Sequence, residues 1–234
     1  RAPVVAVIST GDEIVPVGEP LAPGQIHDSN RHTLFGLLTE LGVEVHDLGI
    51  VPDVPEALDA ALERAAAFDA VLTTGGVSVG AADYVLDALE KAGSVGFWQV
   101  AMKPGRPLAF GRLGDALFFG LPGNPVSAMV TFIQLVRPAL IRLAGARPAD
   151  ILAFDVPTRA AISKKRGRRE FQRGRLVMTE RGPMVEPFGH QGSGVLRSMS
   201  EANCFINLAP DEADVEAGAP VRVEPFSQPV WNGD

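Results

Sequence analysis

The sequence predicts an α/β fold: a three-layer αβα domain followed by a small all-β domain of barrel-like form. In residues 1–147, apolar runs of strand length alternate with amphipathic segments of helix length, which is typical of a three-layer sandwich. In residues 148–234, short strand-like runs follow one another with turn signals and no convincing helix between them. We therefore expect two domains, comprising residues 1–147 and 148–234.

The elements of the first domain can be placed in order along the chain. Four apolar runs are predicted to be strands buried on both faces: Val4–Ile8, Val43–Val51, Ala70–Thr73 and Val95–Ala101. Three amphipathic segments between them are predicted to be helices: Arg31–Leu41, Pro55–Phe68 and Ala82–Ala92. A hairpin is predicted for Leu108–Arg112 with Ala116–Gly120, followed by a long helix from about residue 124 to residue 143 that bends before Pro138.

The second domain is predicted to consist of short strands joined by turns. Five apolar runs are assigned to strands: Ala153–Ala161, Glu170–Thr179, Met184–Phe188, Cys204–Leu208 and Pro220–Val223. Glycine and proline mark the turns between them, as in Arg181-Gly182-Pro183.

Composition narrows the class of protein. Of 234 residues, 46% are hydrophobic and 21% are charged, which is typical of a globular chain, while 25 Gly and 19 Pro indicate many sharp turns. The net charge of −7 argues against a nucleic-acid-binding surface over the whole chain. The single cysteine, Cys204, excludes an internal disulfide framework and a Cys-rich zinc module, and in its apolar strand it is expected to be a core residue.

The start of the chain bears on localisation. It begins with Arg1 and runs directly into the first predicted strand, with no signal peptide before that strand. No continuous run of 18 apolar residues occurs, so we expect no membrane-spanning segment. We expect a cytoplasmic protein, and a chain that is part of a longer one.

Two glycine-containing corners follow predicted strands, at the sheet edge where open α/β folds bind ligands. In the first corner, Gly75, Gly76 and Gly80 let backbone N–H groups point into one concavity with Ser78 as a further donor, which suits a phosphate-bearing ligand. In the second corner, Asn124 is predicted to cap the long helix, and the candidate residues are Pro122, Gly123, Asn124, Pro125 and Ser127. Each corner also has a plainer interpretation, as a strand-to-helix turn or as a rigid helix start.

Carboxylates recur at the same predicted edge. Asp12 and Glu13 follow the first strand, Asp53 follows the second, Asp83 follows the glycine corner, and Asp28 precedes a helix. A single acid at such a place is usually a helix cap or a solvated turn residue. Several acids that converge on one edge need a cation, and oxygen ligands favour Mg²⁺ bridging carboxylates and phosphates.

Two basic stretches are candidates for contact with anions. Lys103 and Arg106 lie in a proline-containing loop at the end of a predicted strand. Residues 164–175 hold a dense run of Lys and Arg, which is usually a solvated hairpin but in an acidic protein could bind substrate or recruit it. The four histidines show no metal-ligand spacing, and no Ser/His/Asp arrangement can be argued.

Together these motifs resemble the C-terminal two domains of the molybdopterin molybdenumtransferase family, to which the C-terminal part of gephyrin is related. The matching motifs run in order through nearly the whole chain: Ser9–Glu13, Gly24–Asn30, Thr74–Gly80, Asp83-Tyr84, Lys103–Pro107, Leu121–Ser127, Phe171–Gly174 and Gly189–Ser193. The resemblance implies a molybdopterin-binding α/β domain followed by a small β domain.

The resemblance also implies a reaction and a set of site residues. Molybdate would be inserted into the dithiolene of adenylylated molybdopterin, with release of AMP and a need for Mg²⁺ or a similar divalent ion. Glu13, Asp53 and Asp83 would be catalytic acids and metal ligands, with Lys103 as a further catalytic residue. The residues implied to bind substrate are Thr10, Asp12, Asp28, Gly75, Gly76, Ser78, Gly80, Arg106, Pro122, Gly123, Asn124, Pro125, Ser127, Arg173 and Ser193.

The chain also departs from the family. Gln99 stands where some relatives carry lysine, and Arg106 stands where lysine is common. The family precedent implies a homodimer with its active site between subunits, and molybdopterin adenylyltransferase as a partner, but no nucleic-acid or membrane partner. Because the family's further N-terminal domains are missing from this sequence, we expect the chain to bind ligand and to catalyse poorly by itself.

Three other functions stay open. A molybdopterin adenylyltransferase has the same α/β fold as a single domain, and the appended β domain argues against it. A nicotinamide-nucleotide amidase or ADP-ribose hydrolase-associated domain has a similar fold, but its acidic pair after the glycine loop is missing here. A non-catalytic scaffold, as in gephyrin's receptor anchoring, would carry a partner-specific insertion, and nothing in the sequence resembles one.

Overall fold

The computed structural model of the chain describes residues 1–75 and 93–226, and the chain divides into two compact units. The first unit comprises Arg1–Val100 and Gly105–Ala146. The second comprises Ala101–Pro104 and Arg147–Asp234. The four residues Ala101–Pro104, which lie in the chain between two stretches of the first unit, therefore belong to the second unit. The predicted helix Ala82–Ala92 lies outside the described residues.

A six-stranded sheet forms the centre of the first unit. The first nine strands along the chain, six of which form this sheet, are β1 (Val4–Thr10), β2 (Ile14–Val15), β3 (Ile26–His27), β4 (Glu44–Val51), β5 (Ala70–Thr74), β6 (Gly93–Gln99), β7 (Met102–Lys103), β8 (Pro107–Leu113) and β9 (Ala116–Leu121). The order in the sheet is β4-β1-β5-β9-β8-β6, while β2 pairs with β3 and β7 lies in the second unit. β4, β1, β5 and β9 run parallel, whereas β8 and β6 form the antiparallel end, which confirms the predicted hairpin of β8 and β9.

Helices cover both faces of this sheet, which confirms the predicted α/β class. They are α1 (Ser29–Glu40), α2 (Pro55–Ala65) and α3 (Pro125–Leu143). Leu58 and Leu62 of α2 share a core cluster with Ala6 and Ile8 of β1. Side chains alternate along a strand, so Val7, which lies between Ala6 and Ile8 and is fully buried, faces the other side of the sheet. Helix α1 packs on β1, β4 and α3.

Helix α3 changes its hydrogen-bonding pattern in the middle. Residues Phe132–Val136 form a π-helical turn directly before Pro138, in the region where the sequence predicts a bend. By length and composition alone, α3 could also cross a membrane. Half of that stretch is buried inside the protein, and Val130, Val136 and Leu140 are fully buried, so core packing accounts for its apolar character.

Two predictions about the sheet are wrong. The run Val95–Ala101 predicts a strand buried on both faces, but β6 is an edge strand that pairs with β8 only, and Gln99 is exposed. The apolar run predicts a β4 buried on both faces, but β4 is an edge strand, with Glu44, His46 and Asp47 exposed. An edge strand has a neighbour on one side only, so polar side chains on it remain hydrated.

The second unit contains a barrel-like sheet. Besides β7, its strands are β10 (Phe154–Pro157), β11 (Arg169–Thr179), β12 (Gly182–Pro187), β13 (Cys204–Leu208) and β14 (Pro220–Pro225). Their order is β10-β14-β13-β11-β12, with β7 added to β11, and a bridge between Thr158 and Val185 brings the two ends of the sheet together. The expectation of no helix between these strands is wrong, because a short helix, α4, occupies Arg197–Glu201.

The barrel is filled by residues from all sides, including Val185, Cys204 and Ile206. Gly174 lets β11 cross this core, since a Cβ there would lie 2.8 Å from Val185 Cγ2 and 3.0 Å from Ile206 Cδ1. Close packing of this kind leaves no space for a methyl group.

Candidate functional site

The carboxyl ends of four parallel strands meet at one edge of the first unit's sheet. In the strand register, Thr10 pairs with Val51 and Thr74 pairs with Leu121, so the loops after these strands begin side by side. The Oγ atoms of Ser9 and Thr74 lie 3.2 Å apart, and both side chains are buried. This is the edge at which open α/β sheets bind ligands.

Backbone segments approach one another closely just beyond this edge. Gly75 has φ +90°, and a Cβ at this position would lie 2.3 Å from the carbonyl oxygen of Thr10. A Cβ at Gly123 would lie 3.8 Å from the Cα of Gly75. The loops after β1, β5 and β9 are therefore in main-chain proximity, and peptide groups rather than long side chains form the corner between them. Gly76, Ser78 and Gly80, also predicted for this corner, lie outside the described residues.

Three carboxylates follow β1 and β4. Asp12 and Glu13 are exposed, and the backbone N–H of Asp53 donates to Asp12 Oδ1 at 3.3 Å. Partial burial raises the pKa of Asp53 above its ordinary value, and the negative charges of Asp12 and Glu13 raise it further. The structure thus brings these three predicted site residues together, while Asp83 lies outside the described residues.

The donor set can be compared with the needs of a metal ion. Within residues 1–75 and 93–226, no three His, Cys, Asp or Glu side chains form a group that could hold a metal. Asp12, Glu13 and Asp53 offer only oxygen donors, and a divalent cation would relieve the repulsion that helps to raise the pKa of Asp53. Carboxylates are ligands of the kind that Mg²⁺ prefers, but these three do not by themselves form a metal site within the described residues.

Asp28 and Asn30 fix the start of helix α1. Asp28 is buried and caps the helix, with its Oδ1 accepting from the Arg31 N–H at 3.1 Å. The Nε of Arg31 also lies 3.1 Å from Asp28 Oδ2, although outside the angular range of a hydrogen bond. Asn30 Nδ2 donates to the Gly123 carbonyl at 2.7 Å, which connects α1 to the second corner. Asp28 is therefore explained as a cap, and its contact with substrate stays a prediction.

The second corner begins helix α3. Pro122 and Ser127 are buried, and Asn124 is exposed at the N-cap position. The prediction that the Asn124 side chain caps the helix is wrong, because that side chain makes no capping hydrogen bond. The backbone carbonyl of Asn124 instead accepts from the Ala128 N–H. Pro125 sets the first helical turn with its fixed φ.

Arg106 and Gln99, the two positions at which lysine is expected in relatives, contact each other. Arg106 is exposed, and its Nη2 donates to Gln99 Oε1 at 2.5 Å. The amide of Gln99 therefore orients a guanidinium that keeps other donors available for an anion.

Lys103 belongs to the second unit, where β7 pairs with the start of β11. Its side chain is 46% exposed, and its Nζ lies 3.3 Å from both carboxylate oxygens of Glu170. Glu170 is buried and also accepts from Gln172 Nε2 at 3.0 Å. Glu170 is not among the residues predicted from the sequence; the available signal was polar residues at alternate positions 170 and 172 of a predicted strand.

Arg173 is buried, with 1% of its surface exposed. Its Nε donates to Ser198 Oγ at 3.0 Å, and its Nη2 donates to the carbonyls of His190 at 3.3 Å and Gly192 at 3.1 Å. Burial lowers the pKa of Arg173 to about 10. The side chain therefore holds the loop that leads to Ser193, which is half-buried, and contact of either residue with substrate stays a prediction.

Comparison with known families gives two matches. Residues 6–142 match the family described as the probable molybdopterin binding domain. Residues 155–226 match the MoeA C-terminal region, called domain IV. The two matches follow each other along the chain in the order that the sequence motifs predict.

Individual relatives agree with this assignment. The chain is 46% identical to the molybdopterin molybdenumtransferase of Haemophilus influenzae, over 95% of the chain and 56% of the relative. It is 35% identical to the molybdopterin molybdenumtransferase of Bacillus subtilis, over 95% of the chain and 52% of the relative. Gephyrin from Dictyostelium discoideum is 32% identical, with 36% of its length covered. The chain thus spans about half the length of the two transferases.

A solved structure also resembles the chain. The crystal structure of a molybdopterin biosynthesis MoeA protein from Pyrococcus horikoshii matches with a TM-score of 0.81 and 34% identity, over 97% of this chain and 55% of that one. Together with the family matches, this confirms the resemblance stated from the sequence motifs.

Proposed function

Since the chain belongs to the probable molybdopterin binding domain family, we propose that it acts in molybdenum cofactor biosynthesis as a molybdopterin molybdenumtransferase. The proposed reaction inserts molybdate into adenylylated molybdopterin and releases AMP. Relatives that carry this name are 46% and 35% identical to the chain and support the proposal. Because the chain spans about half their length, the activity is proposed for it and not taken over from them.

The observation that carries the proposal is the main-chain corner at Gly75. A pyrophosphate group needs several donors within a small radius, and closely approaching peptide groups can supply them where side chains would be in the way. The Thr10 carbonyl oxygen and the Gly123 backbone border this corner. The donors proposed for the pyrophosphate are the N–H groups in the first turn of helix α3, which begins directly after the corner. The positive end of the α3 dipole favours negative charge there.

The acidic side of the same edge has a complementary role. Glu13, Asp53 and Asp83 would hold Mg²⁺, and Asp12 would orient the loop after β4 through its contact with the Asp53 N–H. When bound, Mg²⁺ would neutralise phosphate charge and polarise the phosphoanhydride. Without the cation, the negative charges of these carboxylates would repel the anionic groups of the substrate.

Cationic side chains would hold the remaining anions. Molybdate is a dianion, and the half-exposed ammonium of Lys103 can donate to its oxygens. The exposed guanidinium of Arg106 can bind an anionic group of the reactants in its own unit. No side chain has to form a covalent bond with the substrate in this reaction. The groups of the protein act by binding and orienting the reactants.

The proposal includes an assembly and a cellular setting. Val17 and Leu21, in the loop between β2 and β3, and Ile26 of β3 are each about half exposed, and these apolar side chains support the proposal of a homodimer. Light scattering of the purified chain over a range of concentrations measures its mass directly. Transfer of substrate from a molybdopterin adenylyltransferase, and a cytoplasmic location, are further parts of the proposal.

The activity can be measured on the chain with adenylylated molybdopterin, molybdate and Mg²⁺. We expect the chain to bind adenylylated molybdopterin and to insert molybdenum only slowly, with AMP released in equal amount and both dependent on Mg²⁺. Glu13→Gln should abolish both, whereas Glu19→Gln, which changes another exposed acid in the same region, should leave them unchanged. Transfer of AMP from ATP to molybdopterin would instead identify an adenylyltransferase, and ligand binding without turnover would identify a binding module.

A further inference from the structure

Glu170 is a buried carboxylate with an unusual pair of partners. Its side chain is only 3% exposed, yet it faces the ammonium of Lys103, which is 46% exposed. The parallel pairing of β7 with β11 sets Glu170 opposite Lys103 in the strand register. The main chain therefore fixes the position of both residues.

A second contact fixes the direction of the Glu170 carboxylate. Gln172 Nε2 donates to Glu170 Oε2 at 3.0 Å and to the Ser163 carbonyl at 3.1 Å. Gln172 is itself buried, so its amide has little freedom to move. The two carboxylate oxygens are thus held in place and present a fixed acceptor to Lys103 Nζ, 3.3 Å from each.

We propose that Glu170 is a positioning residue that holds the Lys103 ammonium at one point and offsets part of its charge. The inference rests on the proposed function, in which Lys103 binds an anionic group of the substrate. An unpaired lysine of this length would sample many rotamers, and ordering it during the reaction would cost free energy. Pairing with a rigid, buried carboxylate orders the ammonium in advance and leaves its other N–H groups for the anion.

This role predicts a specific kinetic signature. Glu170→Gln removes the negative charge, so Lys103 attracts an anion at least as strongly but is no longer held in position. We expect kcat to fall about 10- to 100-fold, as for a misplaced reacting group, while KM does not rise. Lys103→Met should raise KM and lower kcat, because it removes the anion contact itself. Glu170→Asp retains the charge and should recover part of the lost kcat.

A double-mutant cycle separates positioning from a purely structural role. If Glu170 acts through Lys103, Glu170→Gln has no further effect on kcat in the Lys103→Met background. A matched control is Glu186→Gln, which breaks the exposed pair with Arg159 in the same unit and should leave kcat unchanged. Undiminished loss of kcat by Glu170→Gln in the Lys103→Met background, or wild-type kcat in Glu170→Gln, would overturn the proposal.

A binding measurement keeps this inference separate from the activity. Calorimetry with molybdate should show equal or tighter binding to Glu170→Gln than to the wild type, and weaker binding to Lys103→Met. If the three proteins show this order of affinity but the wild type inserts no molybdenum, the proposed function fails and the pairing with Lys103 stands. If Glu170→Gln weakens molybdate binding as much as Lys103→Met, the proposed role of Glu170 is wrong.

Discussion

The Cβ that any other residue would place at Gly75 would lie 2.3 Å from the carbonyl oxygen of Thr10. The backbone of Gly75 has φ +90°, which L side chains rarely adopt. Two independent constraints, one conformational and one steric, therefore require glycine at the point where β1 and β5 end. The closeness of these two strand ends is what forms the main-chain corner.

We expect Gly75→Ala to destabilise the chain by about 2 to 5 kcal/mol, the sum of backbone strain and steric overlap. Gly42→Ala provides the control, because Gly42 has φ +73° but no atom within 4 Å of the point that a Cβ would occupy, so only the backbone strain of about 1 to 2 kcal/mol remains. Urea unfolding of both variants measures the difference. Equal destabilisation of the two would show that the Thr10 contact is relieved at little cost.

The raised pKa of Asp53 predicts a pH-dependent stability. The folded protein binds the Asp53 proton more tightly than the unfolded chain does, so this residue lowers stability as pH rises through its folded pKa. Asp53→Asn should therefore be more stable than wild type at neutral pH. The difference should vanish below the ordinary pKa of 3.8, where the carboxyl is protonated in the folded and unfolded states alike. Thermal unfolding across this pH range measures the effect, with the exposed Asp150→Asn as the control.

Magnesium should reduce the stability advantage of Asp53→Asn over the wild type. A cation that binds the folded state stabilises it according to its concentration and affinity, and Asp53 is one of the proposed ligands. Added Mg²⁺ should raise the melting temperature of the wild type more than that of Asp53→Asn. An equal rise in the two proteins would contradict a metal-binding role for Asp53.

Arg173 should matter for stability through the loop that it holds. Arg173→Met leaves the carbonyls of His190 and Gly192 and the hydroxyl of Ser198 without this donor, at a cost of about 2 to 4 kcal/mol. Hydrogen exchange should become faster in residues 188–193. Arg181→Met, at an exposed arginine, should change stability by less than about 0.5 kcal/mol. Full stability in Arg173→Lys would show that the guanidinium fork is not required.

Cys204 offers a direct probe of the second unit. The thiol is buried in the barrel, and burial raises its pKa to about 12. At pH 8 we expect no reaction with iodoacetamide until the barrel opens, so the alkylation rate should follow the unfolding equilibrium of this unit. Arg173→Met should accelerate it. Rapid alkylation of the native wild type would contradict the burial of the thiol.

Sequence periodicity predicts elements well where the neighbours along the chain are also neighbours in space. The parallel strands and the hairpin of β8 and β9 follow from such local patterns, and the convergence of Asp12, Glu13 and Asp53 follows from the rule for strand ends. The edge position of β4 does not follow, because strand order depends on packing of the whole sheet. The polar residues Glu44, His46 and Asp47, which are exposed, are the local feature of the sequence that indicates an edge strand.

Side-chain partners that are distant in sequence are harder to predict. Lys103 and Glu170 are 67 positions apart, and their pairing depends on the register between β7 and β11. The family resemblance implies that Arg173 binds substrate, which stays a prediction. Its burial, by partners from a loop about 20 residues later, does not follow from the local pattern. Nothing in the local pattern distinguishes a buried arginine from an exposed one.

The path of residues 101–104 makes the two units inseparable by a single cut. A break between Ala146 and Arg147 would leave β7 on the first fragment, although β7 completes the sheet edge of the second. The second fragment would then expose the backbone of β11 to unwanted pairing and leave the Glu170 carboxylate without its cation. A complete second unit therefore requires a chain that also contains residues 101–104, which lie between two strands of the first unit.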